Sequence, residues 1–207
     1  MITVGDSKST YGIYNEDNGK TNLYGGEINV NSPRSLHGIY NHSTGTINVS
    51  GGEISGSGGS SYATHGIYNY STGTINVIGG EISNSSGSVT YGIYNYSTGT
   101  INALEGEISS SSSNAYGIYN YSTGTINVLG GEISSSGSNN AYGIYNSSTG
   151  IITIGTKGDN IVSIDEPNIV GTSNNNVGYG IYNNIRGNIY FYDGIIQATN
   201  TTIYGGI

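Results

Sequence analysis

The sequence predicts an all-β fold, a parallel β-helix (solenoid) of about seven coils, and three observations support this. The string GIYN occurs seven times along the chain. A TGTINV-like block and then a GEIS-like block follow most copies at fixed offsets. Each block is short and rich in Ile, with Gly, Ser or Asn at its ends, which is typical of strands rather than helices. The copies of GIYN begin at Gly12, Gly38, Gly66, Gly92, Gly117, Gly143 and Gly180.

The repeat length favours one arrangement of these strands. Successive copies of GIYN are separated by 26, 28, 26, 25, 26 and 37 residues, which indicates a unit of about 26 residues. Such a unit forms one coil of three short strands, and each strand pairs with its copy in the next coil. A flat array of hairpins is the alternative. The near-identity of the units favours the solenoid, in which each residue stacks on the equivalent residue of the next coil.

Each block supplies one strand with an inner and an outer face. In the third copy, the GIYN strand places Ile67 and Tyr68 on opposite sides. The TINV strand that follows turns Ile75 inward. The GEIS strand turns Ile82 inward and Glu81 outward. The predicted core is therefore three columns of isoleucine, namely Ile39, Ile67, Ile93, Ile118 and Ile144; Ile47, Ile75, Ile101 and Ile126; and Ile54, Ile82, Ile108 and Ile133.

The whole chain, residues 1–207, is predicted to be a single solenoid domain. The last interval is eleven residues longer than the usual 26. We assign the extra residues to an enlarged coil or loop within 151–178, around Lys157 to Asp159. From Gly187 onward, GNIYFYDGII resumes the TINV and GEI pattern, with Asp193 interpreted as one place before the glutamate position.

Composition excludes several classes of function. The net charge is −8 with only five Lys and Arg residues, which excludes a nucleic-acid surface built to neutralise phosphates. No apolar run approaches the roughly 18 residues of a membrane-spanning helix. Cysteine is absent, which excludes disulfides and thiolate metal sites.

The blocks GIYN, GTINV and GGEI, together with ITIGTKGDN and FYDGII, resemble repeats of large surface or secreted proteins of anaerobic, mostly Gram-positive bacteria. The resemblance covers nearly the whole chain. It implies a right-handed β-solenoid that serves as a stalk or adhesive surface, at the cell surface or outside the cell.

Both ends of the chain stop within the repeat pattern, with ITVG near the start and IYGGI at the end. Terminal coils of a solenoid expose unpaired strand edges unless atypical repeats cover them. We therefore expect either continuation into a longer chain or head-to-tail self-association into fibres.

Tyrosine recurs at fixed outward positions and forms the main candidate binding surface. The third residue of each GIYN block contributes Tyr14, Tyr40, Tyr68, Tyr94, Tyr119, Tyr145 and Tyr182, and positions two residues later contribute Tyr70, Tyr96 and Tyr121. One interpretation is a stabilising aromatic ladder. The other is a platform for sugar rings, with Tyr40, Tyr68, Tyr94, Tyr119, Tyr145, Tyr70, Tyr96 and Tyr121 as its residues.

A further aromatic position directly precedes the glycine of GIYN and is expected at a corner of the coil. It holds Tyr91, Tyr116 and Tyr142, with His37 and His65 in the equivalent places. We interpret these histidines as substitutes for tyrosine rather than as ligands.

Glutamate forms a row along the third strand. Its members are Glu27, Glu53, Glu81, Glu107 and Glu132. At a coil spacing of about 4.8 Å, neighbouring carboxylates repel by about 1 kcal/mol even in bulk water. The row is either a solvated charged edge that discourages sheet pairing or a row that binds cations, with Ca²⁺ as the candidate metal. No other cofactor is expected.

Enzymatic sites are not indicated, because a catalytic site is singular and this pattern repeats in every coil. A polysaccharide-degrading lyase would need basic groups beside an acidic cluster, yet Arg34 and Arg186 are far apart in the chain. The asparagine columns, Asn69 and Asn76 with their copies, are expected to form hydrogen-bonded ladders at corners.

Threonine pairs suggest an ice-binding array, although the Gly between the two threonines favours a turn. These pairs are Thr44 and Thr46, Thr72 and Thr74, Thr98 and Thr100, and Thr123 and Thr125. The sequence as a whole predicts a non-enzymatic structural and adhesive segment. The alternative is a glycan-binding module, and ice binding and polysaccharide degradation are less favoured.

Overall fold

A computed structural model describes residues 9–158, 167–184 and 186–200. Within these ranges the regular secondary structure consists of β-strands alone. The strands wind into a parallel β-solenoid of about seven coils. The predicted fold class is confirmed. In the described part of the chain, no helix is long and apolar enough to span a membrane.

The first strand of each coil carries the GIYN block. These strands are β1 (Ser9–Asn15), β4 (Ser35–Asn41), β7 (Ala63–Asn69), β10 (Val89–Asn95), the second halves of β12 (Glu107–Asn120) and β14 (Glu132–Asn146), and β17 (Val177–Asn183).

The second strand carries the TINV block and is four residues long in every coil. These strands are β2 (Lys20–Leu23), β5 (Thr46–Val49), β8 (Thr74–Val77), β11 (Thr100–Ala103), β13 (Thr125–Val128), β15 (Ile151–Ile154) and β18 (Asn188–Phe191).

The third strand carries the GEIS block. These strands are β3 (Glu27–Ser32), β6 (Glu53–Gly58), β9 (Glu81–Ser85), the first halves of β12 and β14, β16 (Asn168–Ser173) and β19 (Ile195–Asn200).

Each strand pairs in parallel with its copy in the neighbouring coils. Second strands form a seven-stranded sheet, while first and third strands share a twelve-stranded sheet. In β12 and β14 the third strand of one coil runs directly into the first strand of the next. The coil therefore has the three predicted strands but only two sheets. The first and third strands belong to one sheet because the serine-rich segment that joins them is extended in β12 and β14. A register shift between Ser112 and Asn114 marks the junction.

The three predicted isoleucine columns form the core. Ile67 pairs in register with Ile39 and Ile93, and all members of the three columns are at most 1% exposed. Burial of one such side chain contributes about 1.5–3 kcal/mol. This explains how a chain with only 34% hydrophobic residues folds, because only one face of each strand has to be apolar to form the core.

Glycine is required at the start of GIYN because the third strand packs against it. A Cβ on Gly66 would lie 2.5 Å from Cγ2 of Ile82 and 2.6 Å from the carbonyl oxygen of Gly92. The second glycine of the GG turn is required for another reason, since Gly80 has a φ of +76°, which side chains disfavour.

The register locates most of the extra residues of the sixth coil. Val128 and Glu132 are four positions apart, whereas their partners Ile154 and Asn168 are fourteen apart. Ten of the eleven extra residues therefore lie between β15 and β16. Residues 159–166 lie outside the described ranges, so the predicted loop around Lys157 to Asp159 falls partly outside them.

Pairing also corrects one alignment made from sequence. The glutamate column continues through Asn168 to Ile195, so Asp193 stands two places before the glutamate position rather than one. The terminal segments ITVG and IYGGI lie outside the described residues, and head-to-tail association remains a prediction.

Candidate functional site

Asparagine at the end of each first strand forms a continuous ladder, which is buried from Asn15 to Asn146. Asn69 Nδ2 donates to Asn95 Oδ1 at 2.8 Å and to the carbonyl oxygen of Gly73 at 3.0 Å. The same ladder connects Asn15, Asn41, Asn69, Asn95, Asn120, Asn146 and Asn183. Asn41, Asn69, Asn95 and Asn120 are fully buried, so their N-x-S sequons offer no accessible amide for a glycan in the folded chain.

A second asparagine ladder lies on the outer side of the second strands. Asn76 Nδ2 donates to Asn48 Oδ1 at 2.7 Å, and Asn102 Nδ2 donates to Asn76 Oδ1 at 2.7 Å. The ladder begins at the exposed Asn22, and its amides from Asn48 to Asn127 are half-buried. The sequence-based expectation that both ladders lie at corners is wrong for this one, because its members lie within β2, β5, β8, β11 and β13.

The tyrosines that directly precede the asparagines of the first ladder stack as one column over all seven coils. The ring centroids of Tyr68 and Tyr94 are 5.0 Å apart, with planes 10° from parallel. The other neighbouring pairs lie between 4.8 and 5.3 Å. Because each ring faces its own copies, a ligand approaching from solvent meets mainly ring edges and hydroxyl groups.

The aromatic residues before the glycine of GIYN form a second column within the first strands. Tyr91 lies inside β10, so the expected corner position is wrong. Its ring contacts Tyr94 edge to face at a centroid distance of 4.9 Å and stacks on Tyr116 at 5.1 Å. Gly92 and Ile93, which stand between the two rings in the sequence, are both buried, and the two aromatic columns contact each other edge to face.

A third, shorter column carries rings that are each more than a third exposed. Tyr70, Tyr96 and Tyr121 are 43%, 39% and 48% exposed, and neighbouring rings are within 1° of parallel at 5.2–5.3 Å. His42 extends this column by one coil. These rings and the predicted platform residues Tyr40, Tyr68, Tyr94, Tyr119 and Tyr145 are thus brought together on one face.

Burial is the main cause of the phenol pKa shifts on this face. Desolvation raises the pKa of Tyr40, Tyr91 and Tyr142 to about 12. The pKa of Tyr68 and of Tyr94 is raised further, chiefly by desolvation. All these phenols are therefore neutral at physiological pH and act as hydrogen-bonding groups rather than as bases.

Two histidines replace tyrosine in the second aromatic column. His37 and His65 stack at a centroid distance of 4.7 Å and are 7% and 6% exposed. Desolvation lowers the pKa of His37 to about 4 and that of His65 well below its usual value. Nδ1 of each ring is buried without a hydrogen-bond partner. Both rings therefore act as neutral aromatic members of the column, in agreement with their interpretation as substitutes for tyrosine.

The glutamate row forms as the repeat predicts. Glu27, Glu53, Glu81, Glu107 and Glu132 are in-register partners on successive third strands. The pKa of Glu107 is raised by desolvation and then by the charges of Glu81 and Glu132. Among the described residues, no group of three or more His, Asp or Glu side chains could hold a metal ion. Calcium binding by the row remains a prediction.

A groove of about 480 Å³, lined mainly by serine residues, lies beside the glutamate row. Rows of serine line it, including Ser85, Ser111 and Ser136, and Glu132 borders it. We did not predict this groove from the sequence, because we assigned no strand to the serine-rich segments between the GEIS and GIYN blocks. The run of five serines at 109–113 was the available signal, since an extended polar run in register with its copies forms rows of hydroxyl groups.

Comparison with family models, with curated proteins and with solved structures finds no match for this chain.

Proposed function

We propose that this chain is a non-enzymatic structural and adhesive β-solenoid segment of a bacterial surface or extracellular protein. The observation that carries the proposal is that its most distinctive side chains bind their own copies. Asparagine amides bond to asparagine amides and tyrosine rings stack on tyrosine rings along the whole axis. Such ladders reinforce every coil equally, as a rigid spacer requires, rather than building one asymmetric site.

Two features support a role in contact with a partner. The outer edges of Tyr70, Tyr96 and Tyr121 are exposed in a row, and tyrosine edges carry both apolar surface and a hydroxyl group. The glutamate row on the third strands keeps another side charged. One face can therefore adhere while another stays solvated.

Rigidity can be tested directly because the chain has no cysteine. Tyr24→Cys and Tyr192→Cys replace exposed residues at equivalent positions of the first and last coils. Six coil spacings separate them, or about 29 Å. Spin labels at both sites should give one narrow distance distribution near this value. A broad distribution typical of a flexible tether would exclude a spacer role.

Adhesion is tested by displaying the chain on a non-adherent bacterium. We expect greater retention on polysaccharide-coated or protein-coated surfaces than for cells that carry the anchor alone. A Tyr70→Ser, Tyr96→Ser and Tyr121→Ser variant should reduce retention, whereas Ser85→Ala, Ser111→Ala and Ser136→Ala should not. Equal retention of displaying and anchor-only cells would contradict the adhesive role.

Glycan binding is the second candidate function. The observation that favours it is the closeness of the exposed tyrosine edges within one face, with Tyr68 and Tyr70 centroids 6.3 Å apart. Saturable binding on a glycan array that is lost in the triple Ser variant would support it. If the displaying cells are retained on surfaces but the chain binds no glycan on the array, glycan binding is excluded and the structural and adhesive role remains.

A further inference from the structure

The outer side of four second strands forms a regular uncharged surface that the adhesive role does not use. We call it the threonine–asparagine face. Its residues are Thr46, Thr74, Thr100 and Thr125 in one column and Asn48, Asn76, Asn102 and Asn127 in the other.

The structure changes which residues share this face. The sequence paired Thr72 with Thr74, but Thr72 lies at a bend before β8, and the strand itself carries Thr74 and Asn76. Both are outward neighbours of the buried Ile75. The second column is therefore asparagine, not threonine.

Backbone pairing fixes both columns on a lattice. Thr74 pairs with Thr46 and Thr100, and Asn76 pairs with Asn48 and Asn102. Parallel strands place copies about 4.8 Å apart, and residues two apart along a strand about 6.6 Å apart. Oxygen atoms on the prism surface of ice repeat at distances of the same order in two perpendicular directions.

The amide groups are also held in a defined orientation. Each asparagine donates to its copy in the preceding coil at 2.7–2.8 Å, which leaves a second N–H and lone pairs in a fixed direction. Asparagine is disfavoured in strands, so a column of it at mid-strand is unusual. A rigid face loses little conformational entropy when it orders its ligand.

We propose that the threonine–asparagine face binds the surface of ice through an ordered water layer. Ordered water that bridges polar groups is nearly as favourable in enthalpy as a direct hydrogen bond. Threonine methyl groups add apolar contact between the hydroxyl groups. Charged residues, whose hydration shells fit poorly to a lattice, are absent from these eight positions. Lys20 and Ile151 continue the threonine column on either side, and the array is four coils long.

The short array determines the expected effect. Four coils cover about 14 Å along the axis, so we expect faceting of growing ice crystals and slower ice recrystallisation, with only a small gap between melting and freezing temperatures. The purified full chain is examined by nanolitre osmometry, by recrystallisation assays, and by fluorescence of a labelled chain taken up by a single ice crystal.

Paired variants identify the face. Thr74→Tyr with Thr100→Tyr places bulky strand-forming residues on the array, while Ser111→Tyr with Ser136→Tyr makes the same change at two exposed, paired positions of the other sheet. Circular dichroism and thermal melting establish that each variant folds. We expect the threonine variant to lose faceting and ice uptake to the level of buffer, and the serine variant to retain both.

Three results would overturn the proposal. The first is wild-type ice that grows as round discs like buffer alone. The second is exclusion of the labelled wild-type chain from the ice crystal. The third is equal loss in the serine variant, which would place the activity elsewhere. If the threonine variant does not fold, Thr74→Val with Thr100→Val replaces it, because valine keeps the shape and removes the hydroxyl group.

Discussion

Asn69 donates a 2.8 Å hydrogen bond to Asn95, its copy in the next coil, with both side chains fully buried. Each of these amides also bonds to the carbonyl oxygen of the glycine four residues on. The ladder therefore closes the turn after the first strand and joins that turn to the next coil at the same time.

Replacing Asn95 by alanine should strongly destabilise the chain. The change leaves the buried Asn120 Oδ1 without its donor and removes the Oδ1 acceptor of one Asn69 N–H. It also removes one of two hydrogen bonds to the Gly99 carbonyl oxygen, which keeps the bond from the Thr125 N–H. Each unsatisfied group costs about 1–3 kcal/mol. We expect a loss of about 2–5 kcal/mol in the free energy of unfolding, measured by guanidinium titration. Asn102→Ala, in the half-buried outer ladder, is the control and should cost less. Equal losses would show that burial does not decide the effect.

Replacing Tyr94 by leucine should cost more stability than replacing Tyr121 by leucine. Tyr94 stacks on Tyr68 and Tyr119 and meets Tyr91 edge to face, and each aromatic pair contributes about 0.5–1.5 kcal/mol beyond area burial. We expect a loss of about 1–3 kcal/mol for Tyr94→Leu and a smaller loss for the exposed Tyr121. Thermal melting of the two variants side by side tests the order, and the reverse order would contradict it.

Acid should destabilise the coils that contain the histidine pair. The pKa of His37 is about 4 in the folded chain and about 6.5 when unfolded. Between these values the unfolded chain binds more protons, so the free energy of unfolding falls as pH falls through this window. For His37 the full difference is about 3 kcal/mol. Neighbouring Tyr40 and Tyr68 stay neutral there.

His37→Tyr combined with His65→Tyr restores the residue used in later coils and should reduce this acid sensitivity. The measurement is the unfolding midpoint in guanidinium at pH 7, 5.5 and 4.5 for both chains. Carboxyl groups titrate equally in the two proteins, so the difference isolates the histidines. Identical pH profiles would contradict the prediction.

Replacing Gly66 by alanine should be severe, because the added methyl group meets Ile82 at 2.5 Å and a backbone carbonyl at 2.6 Å. We expect a loss of about 1–3 kcal/mol or more, measured by thermal melting and by hydrogen exchange in β7 and β9. Gly25→Ala is the matched control, since no atom lies within 4 Å of its added Cβ. Comparable losses in the two variants would show that packing against the third strand is not the constraint.

Replacing Glu107 by glutamine should stabilise the chain slightly at neutral pH. The raised pKa of Glu107 comes from desolvation and from Glu81 and Glu132, so its ionised form is disfavoured in the folded state. The gain should be below about 1 kcal/mol, because exposed charges are screened, and should disappear once pH is low enough to protonate the carboxyl group. A destabilised variant at pH 7 would instead indicate that the carboxylate has a favourable partner, such as a bound cation.

The sequence predicted the coil and its columns because strict repetition fixes which residues are neighbours. Ile67, Asn69 and Glu81 lie beside their copies in the structure for that reason. The orientation of Tyr rings was harder to predict, since spacing alone does not say whether a ring presents its face to solvent or to its copy. Tyr91 was placed at a corner because it directly precedes Gly92. The strand continues through Gly92 because that glycine packs inward against Ile108, and this is a tertiary contact that the local sequence does not show.

Insertion in the sixth coil leaves the stack on both sides intact. Asn146 still bonds to Asn183 at 2.7 Å although 37 residues separate them, and β13, β15 and β18 pair without a shift. Residues inserted between the second and third strands of a coil therefore do not change the strand pairing of the neighbouring coils. Foreign peptides or tags inserted at that junction should be tolerated. The chain could then display different peptides on an unchanged solenoid.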